Sequence, residues 1–210
     1  MRATYALVPA VGGYLFTFYN TLKADQRNHT IARINEQVRD FYGPLLACIT
    51  ASKSSYDAMI RQNSPDGSVE SFVKAIKEHP EGREGVIYRD WMISVLQPLN
   101  EKAADTIINN LNLLESPAVG KVIVPPSMLQ FVAHVSSLRV VIEQWGKGNV
   151  AEWSVVSYPN DLLDVISEDF RRITRKQQKL LGISAYSPCH TVAGRWIRGI
   201  FQKPLLHSKL

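Results

Sequence analysis

The densest group of chemically active side chains is a basic run near the C-terminal end of the chain. Within nine positions it places five cations: Arg171, Arg172, Arg175, Lys176 and Lys179. On a helix Arg171, Arg175 and Lys179 share one face, because residues four apart are neighbours there. Such a face can bind anionic lipid headgroups, with each basic residue worth about 1 kcal/mol near the surface. The alternative is a solvated face, since cations also suit the C-terminal end of a helix.

The C-terminal tail, residues 183–210, carries a second group of this kind. Basic and apolar side chains stand close together there: Arg195, Trp196, Arg198 and Phe201. Pro188 and Pro204 lie on either side, so the cluster is predicted to be separate from the main domain. Such a segment fits a short interfacial helix or a docking peptide, and we predict lipid or partner contact for it as for the basic run. For the basic run at residues 171–179 nucleic acid is not favoured, because neither an aromatic stacking platform nor a recognised nucleic-acid-binding module accompanies the charge.

The other reactive side chains predict no catalytic, cofactor or metal site. Cys189 and His190 are adjacent, but structural zinc commonly needs four ligands, and Cys48 lies in an apolar helical stripe. His134 lies beside an apolar face and has no second titratable group close to it for acid–base catalysis. The sequence contains neither the phosphate-binding glycine motifs nor the nucleophile motifs. A catalytic site therefore stays open only as a constellation that folding assembles.

The elements that would position these groups begin with an apolar segment over residues 3–22, which has no charge between Arg2 and Lys23. About 20 helical residues cross the hydrocarbon core of a bilayer, so this length predicts a membrane-spanning or membrane-embedded helix. Pro9 and Asn20 make it less hydrophobic than a strong span. Two alternatives stay open: burial in a protein core or groove, and a cleaved targeting segment.

The charges that flank this segment predict its orientation. Four cations follow it: Lys23, Arg27, Arg33 and Arg39. Only Arg2 and the amino terminus precede it. The positive-inside rule then predicts a single-pass membrane protein with its helical domain on the cytoplasmic side, or on the matrix or stromal side of an organelle.

The middle of the chain, residues 23–182, shows helical periodicity. From Ile34 to Leu45 the apolar residues step by four and three, which is typical of one buried helix face. Pro44 and Pro98 each predict a kink or a break, because proline lacks a donor N–H. We therefore predict an all-α fold: a bundle of four to six helices, preceded by one N-terminal apolar, transmembrane-like helix. The predicted segments are an anchor at 1–22, a helical domain at 23–182 and a tail at 183–210.

Composition supports this view without selecting a partner. Hydrophobic residues make up 45% of the chain and charged residues 20%, which is typical of a globular protein. The net charge of +5 is mildly basic and is compatible with an anionic membrane surface or with a nucleic acid, and it selects neither. Two cysteines do not make a disulfide framework, which favours a reducing compartment.

Three stretches resemble a widespread group of uncharacterised helical proteins: Arg33–Gln37 with Tyr42–Leu45, Gln97–Asn100, and the helix at Phe131–Trp145. The resemblance covers residues 31–181. It implies a helical domain over that range, and it implies no activity.

Taken together, these patterns predict a non-catalytic, membrane-anchored helical adaptor, an accessory subunit of a larger membrane protein complex. Its partners would be protein subunits and, through the basic run, anionic lipid. One alternative is a soluble helical enzyme or ligand-binding domain with its N-terminal segment in the core. The other is a peripheral domain that binds anionic lipid through residues 171–179.

Overall fold

The computed structural model describes residues 4–115 and 124–183, with side chains from residue 13 onward within those ranges. This part of the chain forms five helical rods and contains no strand. The predicted all-α class and helical bundle are confirmed, and the number of rods lies within the predicted four to six.

Helices of different width join end to end in two of the rods. The first rod comprises α1 (Thr4–Glu36), the π-helix π1 (Gln37–Tyr42) and α2 (Gly43–Asn63). The second is α3 (Val69–Glu78), and the third comprises α4 (Arg83–Trp91), the π-helix π2 (Met92–Leu96) and α5 (Gln97–Asn109). A single 3₁₀ turn (Leu111–Leu113) follows, and α6 (Pro126–Gly146) and α7 (Leu162–Leu180) are the last two rods.

The two π-helical turns lie directly before the two prolines that predicted kinks or breaks. The backbone N–H of Gly43 bonds to the carbonyl of Val38, and the N–H of Gln97 bonds to that of Met92. These i to i+5 bonds widen the turn ahead of the proline, and the rod continues through it. At residue 43 only glycine fits, because an added Cβ would lie 2.6 Å from the Val38 oxygen. The prolines therefore widen their helices and do not end them.

The core lies where α2 packs against α5 and α7, and α6, which contacts both α5 and α7, adds Met128, Phe131 and Val135 to it. The stripe predicted from Ile34 to Leu45 is buried, and Phe41 is fully inaccessible to solvent. Cys48 continues it as a small buried side chain, as predicted. Inside this apolar core Ser52 donates a hydrogen bond to Asn100 Oδ1 at 2.8 Å, which fixes the pairing of α2 with α5.

The N-terminal part of α1 differs from the rest of the molecule, because every residue from 13 to 29 is exposed. Six large apolar side chains are among them: Tyr14, Leu15, Phe16, Phe18, Tyr19 and Leu22. The helix does not end at residue 22, where the sequence suggested a boundary, but runs on to Glu36.

The prediction of a membrane-spanning helix finds no support in the described residues, where no helix is both long and apolar enough to cross a bilayer. The apolar segment is diluted by the polar side chains of Thr17, Asn20 and Thr21.

Candidate functional site

Helix α7 carries the predicted basic run on its solvent-facing side. Its buried side, with Leu162, Ile166 and Ile173, packs into the core. The outer side forms an open trough of about 700 Å³ lined by seven charged residues: Asp164, Glu168, Arg171, Arg172, Arg175, Lys176 and Lys179. All five basic residues of the predicted run thus line this trough. The two acidic residues of this lining come from the first half of the helix and the basic ones from the second half, the order that the helix dipole favours.

Two of the five cations are paired with carboxylates. Arg172 bonds to Glu115 and, at 2.5 Å, to Oδ1 of Asp169, while Lys176 Nζ lies 2.8 Å from Glu115 Oε1. The hydrogen bond with Asp169 raises the pKa of Arg172 above its ordinary value. These pairs lie at the surface, so each adds little to stability. Their main effect is to neutralise this side of the trough.

The other three cations form a row with no carboxylate partner among the residues that the structure describes. Arg171, Arg175 and Lys179 follow one another every four residues along the exposed side of α7. Arg171 Nε donates to the carbonyl of Ser167, one turn back on the same helix, at 3.1 Å. The helical rise spreads the row over about 12 Å. We call these three residues the basic row.

The position of the basic row follows from the packing of α7 against α1. Arg27 Nε donates to the backbone carbonyl of Leu180 at 2.9 Å, and Gln177 Nε2 donates to Asn35 Oδ1 at 2.7 Å. Because residue 27 meets residue 180 and residue 35 meets residue 177, the two helices run antiparallel. Lys179, at the end of the row, therefore lies beside the place where α1 leaves the bundle.

The base of the exposed part of α1 adds a further cation. Lys23 lies one turn beyond Arg27, and its ammonium group stands 4.5 Å from the centroid of the Tyr19 ring. The exposed apolar segment thus ends at a cation, and the basic end of α7 lies at the same end of the bundle.

Sequence reasoning missed three residues of this site. Glu115 reaches Arg172 and Lys176 across 57 and 61 residues, and Arg27 reaches Leu180 across 153. The spacing of residues within one helix cannot predict contacts between residues so far apart in the chain. Asp169 could have been found, because it lies three residues before Arg172 on one helix. The predicted tail residues lie outside the described ranges: Arg195, Trp196, Arg198 and Phe201.

His134, on α6, holds an extended segment of chain onto that helix. Its Nδ1 lies 2.6 Å from the carbonyl oxygen of Val156, so Nδ1 carries the proton and donates it. Burial lowers the pKa of His134, and the bond to Val156 opposes that shift only partly. Trp145 Nε1 donates to the carbonyl of Glu152 at 3.0 Å, and Ser137 Oγ meets Ser154 Oγ at 2.6 Å. These contacts are structural ones.

Within the described ranges, no group of three or more histidine, cysteine, aspartate or glutamate side chains could hold a metal ion. Comparison of the chain with protein-family models, with curated proteins and with solved structures gives no match. The resemblance to uncharacterised helical proteins therefore stays an expectation from the sequence.

Proposed function

We propose that the protein is a non-catalytic, membrane-associated helical adaptor, an accessory subunit of a larger membrane protein complex. The apolar segment of α1 embeds in the membrane and holds the helical bundle at its surface. The observation that carries this proposal is the exposure of the α1 side chains from Tyr14 to Leu22. A contiguous apolar surface of this kind marks a site that a membrane or a partner covers.

The two threonine side chains within the segment are compatible with an apolar environment. Thr17 donates its hydroxyl hydrogen to the carbonyl of Gly13 at 2.9 Å, and Thr21 donates to the carbonyl of Thr17 at 3.0 Å. Both hydroxyls are thus satisfied within the helix and do not need water. On the neighbouring side of the helix Tyr14, Phe18 and Leu22 follow one another every four residues, which makes an apolar face.

The exposed segment is connected to the bundle by a continuous helical rod. The rod that contains the exposed segment continues through π1 into α2, whose buried face forms part of the main core. About 20 Å of helix separates Gly13 from Arg27, the first of the described α1 side chains that bonds to another element. The rigid connection sets the bundle at a defined position relative to whatever surrounds the segment.

A second exposed apolar strip supports the role of an accessory subunit. Leu129 and Val140 on α6 are each more than half exposed, and they lie on one helix face because they are eleven residues apart. Ile108 on α5 is exposed as well. A protein subunit is the partner that we propose for this strip.

The experiment is co-flotation of the full chain with lipid vesicles. The variant L15E/F18E places two charges on the exposed segment, and each should cost about 3 kcal/mol in an apolar layer. The matched control L129E/V140E makes the same kind of change on α6. We expect the native chain and the control to float with the vesicles and L15E/F18E to stay at the bottom. Flotation of L15E/F18E at the native level, or no flotation of the native chain, would overturn the proposal.

A further inference from the structure

The exposed charged residues of α7 are arranged along the same direction as the exposed apolar helix, α1. On α7 the exposed acidic residues Asp164 and Glu168 lie in the first half, and the basic row occupies the second half. Because α7 runs antiparallel to α1, the basic half lies at the end of the bundle from which the apolar segment extends, and the acidic half points away from it. The apolar surface and the positive surface therefore face the same way.

We propose that the basic row, together with Lys23 at the base of the exposed segment, binds the headgroups of anionic phospholipids. This inference rests on the proposed function, since the apolar segment brings the row to the membrane, and it adds the chemical class of the lipid. Charge complementarity carries it. Arg171, Arg175 and Lys179 lack carboxylate partners in the described part of the chain, whereas Arg172 and Lys176 are tied to Glu115.

The distances suit this role. The attraction of an anionic membrane falls off within one Debye length, about 8–10 Å at physiological salt, so only charges close to the surface contribute. The row begins at Lys179, beside the exit of α1, and Arg171 lies about 12 Å further along the helix, so Lys179 and Arg175 contribute most and Arg171 least. Guanidinium and ammonium groups donate several hydrogen bonds each, and arginine forms bidentate pairs with phosphate oxygens.

The test compares neutral vesicles of phosphatidylcholine with vesicles that also contain phosphatidylserine, using the full chain. The variant R171E/R175E/K179E reverses the basic row. Its matched control, K53E/R61E/K74E, makes the same change in net charge at exposed positions of α2 and α3, and Arg61 lies at the opposite end of the first rod. Circular dichroism checks that both variants keep the native helix content.

We expect the native chain and the control to prefer phosphatidylserine vesicles. The row variant should lose on the order of a hundredfold in partitioning to those vesicles, since three cations are replaced by anions. Its partitioning to phosphatidylcholine should stay at the native level. Raising the ionic strength to about 1 M, where the Debye length is about 3 Å, should abolish the preference of the native chain.

Two results would overturn the inference and leave the proposed function standing. The first is equal binding of the native chain to both kinds of vesicle. The second is an equal loss in the control and in the row variant, which would mean that net charge alone matters. Absence of binding to either kind of vesicle would overturn the inference and the proposed function together.

Discussion

Arg27 of α1 donates from its guanidinium Nε to the backbone carbonyl oxygen of Leu180, at 2.9 Å. The bond caps the C-terminal end of α7, where backbone carbonyls have no partner within the helix. It also ties α1 to the bundle at the point where the exposed part of the helix leaves it. One side chain thus joins the apolar segment to the basic end of the bundle.

Replacement of Arg27 tests this cap. R27Q should lower the free energy of unfolding by about 0.5–1 kcal/mol, because a charged donor at the last carbonyls of a helix is lost. Urea denaturation measures it, and hydrogen exchange should show faster opening in the last turn of α7. K23Q removes the same charge one turn further out, beyond the contact with α7, and should leave both measurements unchanged. Equal effects of the two variants would contradict the capping role.

Removal of the Glu115 carboxylate should strengthen binding to anionic vesicles. In E115Q Lys176 loses its partner and Arg172 keeps only Asp169, so one more unpaired cation becomes available beside the basic row and one carboxylate charge is lost there. We expect about tenfold tighter partitioning to phosphatidylserine vesicles, with stability lowered by less than about 1 kcal/mol. E81Q changes the net charge equally at an exposed position before α4 and should have no such effect. Unchanged binding of E115Q would show that this pairing does not limit the positive surface.

One pair of phenylalanines distinguishes the exposed segment from the core. Phe41 is fully buried, whereas Phe18 is 57% exposed. F41S should lower the free energy of unfolding by about 3–5 kcal/mol, and F18S should change it by less than about 0.5 kcal/mol. Thermal melting in detergent-free buffer measures both. A large loss in F18S would favour the alternative in which the N-terminal segment belongs to a protein core.

Stability should depend on pH through His134. Burial lowers its pKa, so the unfolded chain binds this proton more readily than the folded chain does. The free energy of unfolding should therefore rise with pH from the lowered pKa up to the ordinary value of about 6.5, and level off above it. Below the lowered pKa the free energy of unfolding no longer changes with pH through His134, because the folded and the unfolded chain both bind the proton there. Urea titrations across that range measure the slope.

H134Q keeps a donor for the Val156 carbonyl and should flatten this slope. H79Q, which changes an exposed histidine, should leave it as it is. A slope that persists in H134Q would mean that another group dominates the titration.

The local patterns of the sequence determined the all-helical class of the fold and the buried face of the first rod between Ile34 and Leu45. The stripe from Ile34 to Leu45 and the shared face of Arg171, Arg175 and Lys179 follow from helical periodicity alone. The order of charge along α7, with basic residues in its second half, could also be predicted, because the helix dipole acts within one helix. The outcome at Pro44 was not, since a widened turn and a break both accommodate a missing N–H.

Only the tertiary structure decided where these faces lie relative to one another. The antiparallel packing of α1 and α7 places the basic row at the exit of the apolar segment, and it depends on contacts such as Arg27 with Leu180. The pairing of Glu115 with Arg172 divides the five cations into neutralised and unpaired ones. Such contacts join residues that are remote in the chain. Their partners are chosen by the packing of whole helices, which no spacing within a single helix encodes.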